Sequence, residues 1–204
     1  MPTQEQLLCG LGAIANSLRW LAVVWHAYLA ALLIGLIAGV RPSRRLAGIL
    51  AVLPLLSVSA LAWKGGIPFN GAVFGIVGVV LLAISARLGR DPIRVAGPSA
   101  WMPGIAMVAF GWVYPHFVEA NTFVEYLHSA PTGLIPCPTL SAVVGLGLLV
   151  GGLGSRAWTL LLGFTALFYG LFGALRLGVS LDWVLVAGSL RLLGCAWPRA
   201  RATA

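Results

Sequence analysis

Charged residues are scarce in this sequence. Only 9% of its 204 residues are Asp, Glu, Lys or Arg, whereas 60% are hydrophobic. Soluble domains carry about 25% charged residues, so a chain of this composition cannot cover a surface that faces water. The sequence therefore excludes a soluble protein and predicts a folded chain that is covered mainly by lipid.

The sequence also lacks the motifs of the common enzyme classes. It contains no Gly-x-Ser-x-Gly, no His-Glu-x-x-His, no phosphate-binding loop and no Cys-x-x-Cys. The net charge of +8 does not indicate a nucleic-acid partner, because the basic residues form short clusters between apolar runs, a pattern typical of membrane topology signals. These absences favour a non-enzymatic function.

The apolar runs predict an all-α fold, a polytopic transmembrane helix bundle of about seven spans. At roughly 20 residues per span, the chain has room for six to eight helices and little else, so we expect one membrane domain, 1–204. Residues 1–16 are expected to form an interfacial lead-in. The spans are predicted at 18–40, 46–63, 71–86, 98–114, 139–153, 157–175 and 183–193.

The arginines predict how this bundle is oriented. When the loop 41–45 is placed in the cytoplasm and the spans alternate, ten of the thirteen basic residues fall on the cytoplasmic side. This predicts a multi-pass protein of the bacterial inner membrane with its N-terminus outside and its C-terminus inside. The short fifth and seventh spans are the weakest, and losing one would give six. The ten residues are Arg41, Arg44, Arg45, Arg87, Arg90, Arg94, Arg156, Arg191, Arg199 and Arg201.

The long outer loop, 115–138, contains most of the residues that could carry chemistry. It holds two of the three histidines, two of the five acidic residues and one of the three cysteines. A helix starting at Pro115 would place each His–Glu pair one turn apart, and His26 in the first span could reach the same side. Imidazole and carboxylate suit a divalent transition metal, and a thiolate favours zinc or copper. The candidate metal ligands are His116, Glu119, Glu125, His128, His26 and Cys137.

Other interpretations of these residues stay open. Histidines and glutamates in loops are usually solvated, and His26 alone is more often a hydrogen-bond partner of a neighbouring helix than a ligand. Pro131, Pro136 and Pro138 stiffen the end of the loop. This segment is either a re-entrant loop that dips back among the helices or a rigid surface loop in front of the fifth span.

Several motifs resemble a family of bacterial integral membrane proteins that is classed as a domain of unknown function. They are Gly-Trp-Val-Tyr-Pro-His at 111–116, Gly-Leu-Ile-Pro-Cys-Pro-Thr at 133–139 and Pro-Phe-Asn at 68–70. The most specific is Pro-Cys-Pro-Thr before a glycine-rich span. The resemblance would cover nearly the whole chain. It implies a multi-span inner-membrane protein and supplies no activity.

Two functions are favoured for such a chain, ahead of a membrane enzyme, for which no catalytic constellation stands out. The His, Glu and Cys residues, which the predicted topology gathers on the outer side of the membrane, favour a binding or transport protein for a small solute or metal ion at the periplasmic face. The alternative is an accessory subunit of a larger membrane complex, because glycines four apart let helices approach closely and could face a partner helix. Beyond the lipid bilayer, the expected partners are therefore membrane protein subunits or further copies of the chain. The glycine pairs are 35/39, 71/75 and 147/151.

Overall fold

The computed structural model describes residues 3–119 and 122–197, and these residues form helices with no β-strand among them. The all-α fold class is confirmed. The helices are α1 (Gln4–Ser17), α2 (Arg19–Ile37), α3 (Arg44–Lys64), α4 (Pro68–Ala86), α5 (Pro98–Val113), α6 (Phe123–Ser129), α7 (Pro136–Leu149), α8 (Arg156–Leu171) and α9 (Asp182–Gly194). A 3-10 turn (Gly151–Gly154) precedes α8 and a π-helical turn (Phe172–Arg176) continues it.

Four of these helices are long and apolar enough to cross a membrane. They are α2, α3, α4 and α8 together with its π-helical turn, with mean hydropathies between 1.7 and 2.2. By contrast, α7 has 14 residues and reaches only about 21 Å at 1.5 Å per residue, less than the roughly 30 Å of a bilayer core. Seven spans and their orientation therefore stay a prediction.

The connections of the chain meet at two opposite ends. At the first, which we call the arginine end, Ser43 pairs with Pro92, and Arg44 donates hydrogen bonds to the carbonyl oxygens of Leu153 (2.6 Å) and Gly154 (2.9 Å). At the other, which we call the cavity end, α1 contacts the connections that follow α5 and α8. The tail arginines Arg199 and Arg201 lie outside the described residues.

α7 is the central helix of the molecule. Every residue from Pro138 to Leu149 is buried, and α7 contacts α3, α5, α8 and α9. Glycine allows the closest of these approaches. A Cβ on Gly145 would lie 2.7 Å from the carbonyl oxygen of Gly104, and one on Gly111 would lie 2.5 Å from the carbonyl oxygen of Pro138. The backbones of α5 and α7 therefore touch directly.

The glycine pairs identified in the sequence differ in their surroundings. Gly71 and Gly75 both face α3, where added Cβ atoms would lie 2.8 Å from the Trp63 ring and 3.0 Å from the Ser59 hydroxyl. Gly39 and Gly151 have open space instead, so their pairs do not form a continuous contact. The glycines that join α5 to α7 were not among the pairs, because they stand seven residues apart on α5.

Candidate functional site

A cavity of about 320 Å³ opens at the cavity end. The start of α1, the starts of α4, α7 and α9, the connection after α5 and the π-helical turn all contribute to its walls. Most of the lining is apolar: Leu7, Leu11, Ile67, Phe69, Phe117, Ile135, Pro136, Phe172, Gly173 and Leu177. The polar and charged lining residues are Gln4, Asn70, Cys137, Tyr169, Arg176 and Asp182.

Asp182 is the buried acid of this site. It is the first residue of α9 and only 1% exposed. Its Oδ1 accepts a hydrogen bond from the Tyr114 hydroxyl at 2.7 Å, and its Oδ2 accepts one from the Cys137 thiol at 3.1 Å. The carboxylate thereby connects the end of α5, the start of α7 and the start of α9.

The π-helical turn makes room for that carboxylate. Gly173 lies directly against Oδ2 of Asp182, so that any side chain at this position would overlap it. The amide of Val179 donates to the carbonyl oxygen of Gly173 at 2.9 Å, which folds the chain back toward the start of α9. π-helical turns inside α-helices are frequent at functional sites.

The surroundings of Asp182 also set its ionisation. Burial raises the pKa of its carboxyl above the ordinary aspartate value, while the hydrogen bonds from Tyr114 and Cys137 and the charge of His116 act in the opposite direction. Within residues 3–119 and 122–197, the single ion pair is Arg19–Glu125 at 3.8 Å. No basic side chain is therefore paired with Asp182.

A second polar pair lines the same cavity. The Tyr169 hydroxyl donates to Oδ1 of Asn70 at 3.1 Å. Asn70 is only 8% exposed, and its amide nitrogen has no partner in the described part of the chain. Because Asn70 lines the cavity, this donor is available to a bound molecule.

The segment before α7 is buried from Ala130 to Ile135. The Thr132 hydroxyl donates to the carbonyl oxygen of Gly111, and the Gly133 amide donates to the Thr139 hydroxyl at 2.8 Å. Gly133 adopts a left-handed conformation (φ 78°) beneath the Trp25 ring. Such burial is what non-helical backbone needs at membrane depth. It supports a re-entrant loop, which stays a prediction.

The structure disperses the candidate metal ligands. A helix does not start at Pro115: α6 begins at Phe123, and Phe117 adopts a left-handed conformation (φ 75°) that interrupts any helix there. The expected helical pairing of His116 with Glu119 is therefore wrong. Within α6, Glu125 and His128 do lie one turn apart.

The other candidates have partners of their own. Both ring nitrogens of His26 face carbonyl oxygens, that of Ala22 at 2.8 Å and that of Trp112 at 2.9 Å. The thiol of Cys137 donates its hydrogen bond to Asp182. Among the described residues, no three His, Cys, Asp or Glu side chains form a group that could hold a metal. A zinc or copper site stays a prediction, which metal analysis of the wild type and the His116/Glu119/His128 triple-alanine variant would test.

Sequence reasoning missed Asp182, Tyr114, Asn70 and Tyr169. Of the acidic residues, Asp182 alone stands at the start of an apolar helix directly after another apolar run, and that position was the available signal. Nothing in the sequence indicated that α5, α7 and α9 bring Tyr114, Cys137 and Asp182 together. That contact depends on the packing of three helices.

The fold and the cavity define a helical protein of the membrane class with a mainly apolar cavity at one end. Comparison with known proteins found no matching family model, no similar curated protein and no similar solved structure. The resemblance to a family of bacterial membrane proteins accordingly stays a prediction.

Proposed function

We propose that this chain is a non-enzymatic membrane protein that binds or transports a small solute. The observation that carries the proposal is the cavity of about 320 Å³. Ligand sites are typically concave, lined mainly by apolar side chains and equipped with a few convergent polar groups. The polar side chains of Asp182, Cys137, Asn70 and Tyr169 among the apolar lining fit that description.

The position of the cavity supports a periplasmic mouth. Its walls come from connections that the positive-inside rule places opposite the arginine end. We therefore propose that the cavity opens on the periplasmic side of a bacterial inner membrane. The outward faces of the four long helices carry exposed apolar side chains, among them Ile34, Ile76 and Phe164, which suit contact with lipid.

Filling the cavity tests this proposal. Leu7 lines the cavity, is half-buried and packs at the edge of the core, so Leu7→Trp should occupy part of the cavity volume with less disturbance than a change at a fully buried lining residue. We expect wild-type protein purified in mild detergent to release a small molecule in near-stoichiometric amount, measured by mass spectrometry after denaturation, and Leu7→Trp to release several-fold less. Leu190→Trp, at a 54% exposed position on α9, is the matched control and should retain it.

Equal amounts of every released compound from Leu7→Trp and wild type would overturn the proposal. The accessory-subunit alternative has a separate readout, because a subunit migrates on blue-native gels within a heavier assembly. A binding or transport protein migrates as a monomer or homo-oligomer. The thermal unfolding midpoint of each variant establishes that the comparison is made between folded proteins.

A further inference from the structure

The acidic group of the cavity, Asp182, has no ion-pair partner among the described residues. Asp182 accepts hydrogen bonds from two neutral donors, one on each oxygen, as an ionised carboxylate does. Two basic groups lie near this carboxyl: Arg176, which lines the cavity and is exposed, and His116, which does not line it, and neither forms an ion pair with Asp182. Water screens the charge of an exposed guanidinium far more than that of a buried carboxylate. The field inside the cavity therefore favours a cation.

Aromatic rings surround the same space. Phe69, Phe117, Tyr169 and Phe172 all line the cavity. Phe172 stacks on Phe168, with ring centroids 6.0 Å apart, and Phe168 packs edge-on against Tyr169 at 5.3 Å. The negative faces of aromatic rings attract ammonium groups, most strongly where water is excluded. Such rings also accept the apolar body of a ligand.

We propose that the ligand of this cavity is an amphipathic organic cation, with its ammonium group beside Asp182 and its apolar part among the aromatic rings. A bare metal ion does not suit the site, because most of the lining offers no ligating atoms. An inorganic anion does not suit it either, because it would have to approach the unpaired carboxylate. The unpartnered amide of Asn70 offers one hydrogen bond to an acceptor on the ligand. This inference rests on the proposed function and narrows it to a class of solute.

Two probes of the same shape test the charge. Benzyltrimethylammonium is cationic, and neopentylbenzene is its neutral carbon analogue. Equilibrium dialysis of each against wild type, Leu7→Trp, Asp182→Asn and Phe172→Leu separates cavity binding from detergent partitioning, because only cavity binding is lost in Leu7→Trp. We expect the cation to bind wild type at least about tenfold more tightly than the neutral probe.

The variants distinguish the inference that the ligand is a cation from the proposal that the cavity binds a small molecule. Asp182→Asn should lower the affinity for the cation about tenfold and leave the neutral probe unchanged. Phe172→Leu keeps an apolar wall without a π face and should lower the affinity for the cation alone by a few-fold. This variant provides a second test that does not depend on Asp182. Equal affinities for both probes, unchanged by Asp182→Asn, would overturn the inference and leave a binding cavity standing. If neither probe shows binding that Leu7→Trp removes, the inference and the proposed function both fail.

Discussion

Gly145→Ala should destabilise the protein by about 3 kcal/mol, at the upper end of what overpacking usually costs. The added Cβ would lie 2.7 Å from both the carbonyl oxygen of Gly104 and the amide nitrogen of Val108. These are backbone atoms of α5, which cannot rotate away as a side chain can. Relief requires α5 and α7 to separate, and α7 is the central helix of the bundle.

Intrinsic tryptophan fluorescence measures this effect, since the chain has eight tryptophans. We expect the thermal unfolding midpoint in mild detergent to fall by roughly 5–10 °C. Gly35→Ala is the matched control: its nearest neighbour would be the Cβ of Val40 at 3.8 Å, an ordinary contact, and alanine favours a helix more than glycine does. The control should not lower the midpoint. Equal midpoints for Gly145→Ala and wild type would contradict direct backbone contact between α5 and α7.

Gly173→Ala should disable the candidate site and destabilise the fold together. The new methyl group would overlap Oδ2 of Asp182, so the carboxylate must move and release Tyr114 and Cys137. Tyr114 is fully buried, and a buried hydroxyl that loses its partner costs about 1–3 kcal/mol. We expect a stability loss of about 2 kcal/mol and at least a tenfold weaker affinity for benzyltrimethylammonium.

A double-mutant cycle isolates the cause. Asp182→Ala removes the group with which the new methyl would collide, so Gly173→Ala should cost far less in that background than in wild type, with a coupling of about 1–3 kcal/mol. Gly194→Ala, where an added Cβ meets nothing within 4 Å, is the neutral control. Additive losses in the cycle would show that Gly173 does not act through Asp182.

The membrane class was predictable from composition because lipid-facing helices need continuous apolar runs. The predicted spans lie close to the helices: 18–40 corresponds to Arg19–Ile37, and 183–193 to Asp182–Gly194. The end of the fifth span was less predictable. α7 stops at Leu149, and Gly152 and Leu153 adopt left-handed conformations. The sequence did not indicate this break, because the residues around it are apolar.

The candidate site could not be predicted in the same way, because its residues are distant in the chain. The histidines and glutamates of the long loop indicated a metal site, yet of the loop's candidate ligands only Cys137 lines the cavity, and its thiol donates a hydrogen bond to an acid 45 positions later. Local spacing identified pairs such as Glu125 and His128 within one helix. It carries no information on how the ends of separate helices converge on one space.

The packing of α1 has a consequence for the synthesis of the chain. Leu11 and Ile14 of α1 bury their side chains against Leu134 and Ile135 of the segment before α7. At 5–20 residues per second, a ribosome needs roughly 6 to 24 s to add the intervening stretch. Ala62 and Ile67 of the same cluster are made early, but throughout that time the part of α1 that packs on Leu134 and Ile135 has no final partner, so the membrane surface or a chaperone must shield it. The nascent chain is thus most exposed to misassembly before α7 is made.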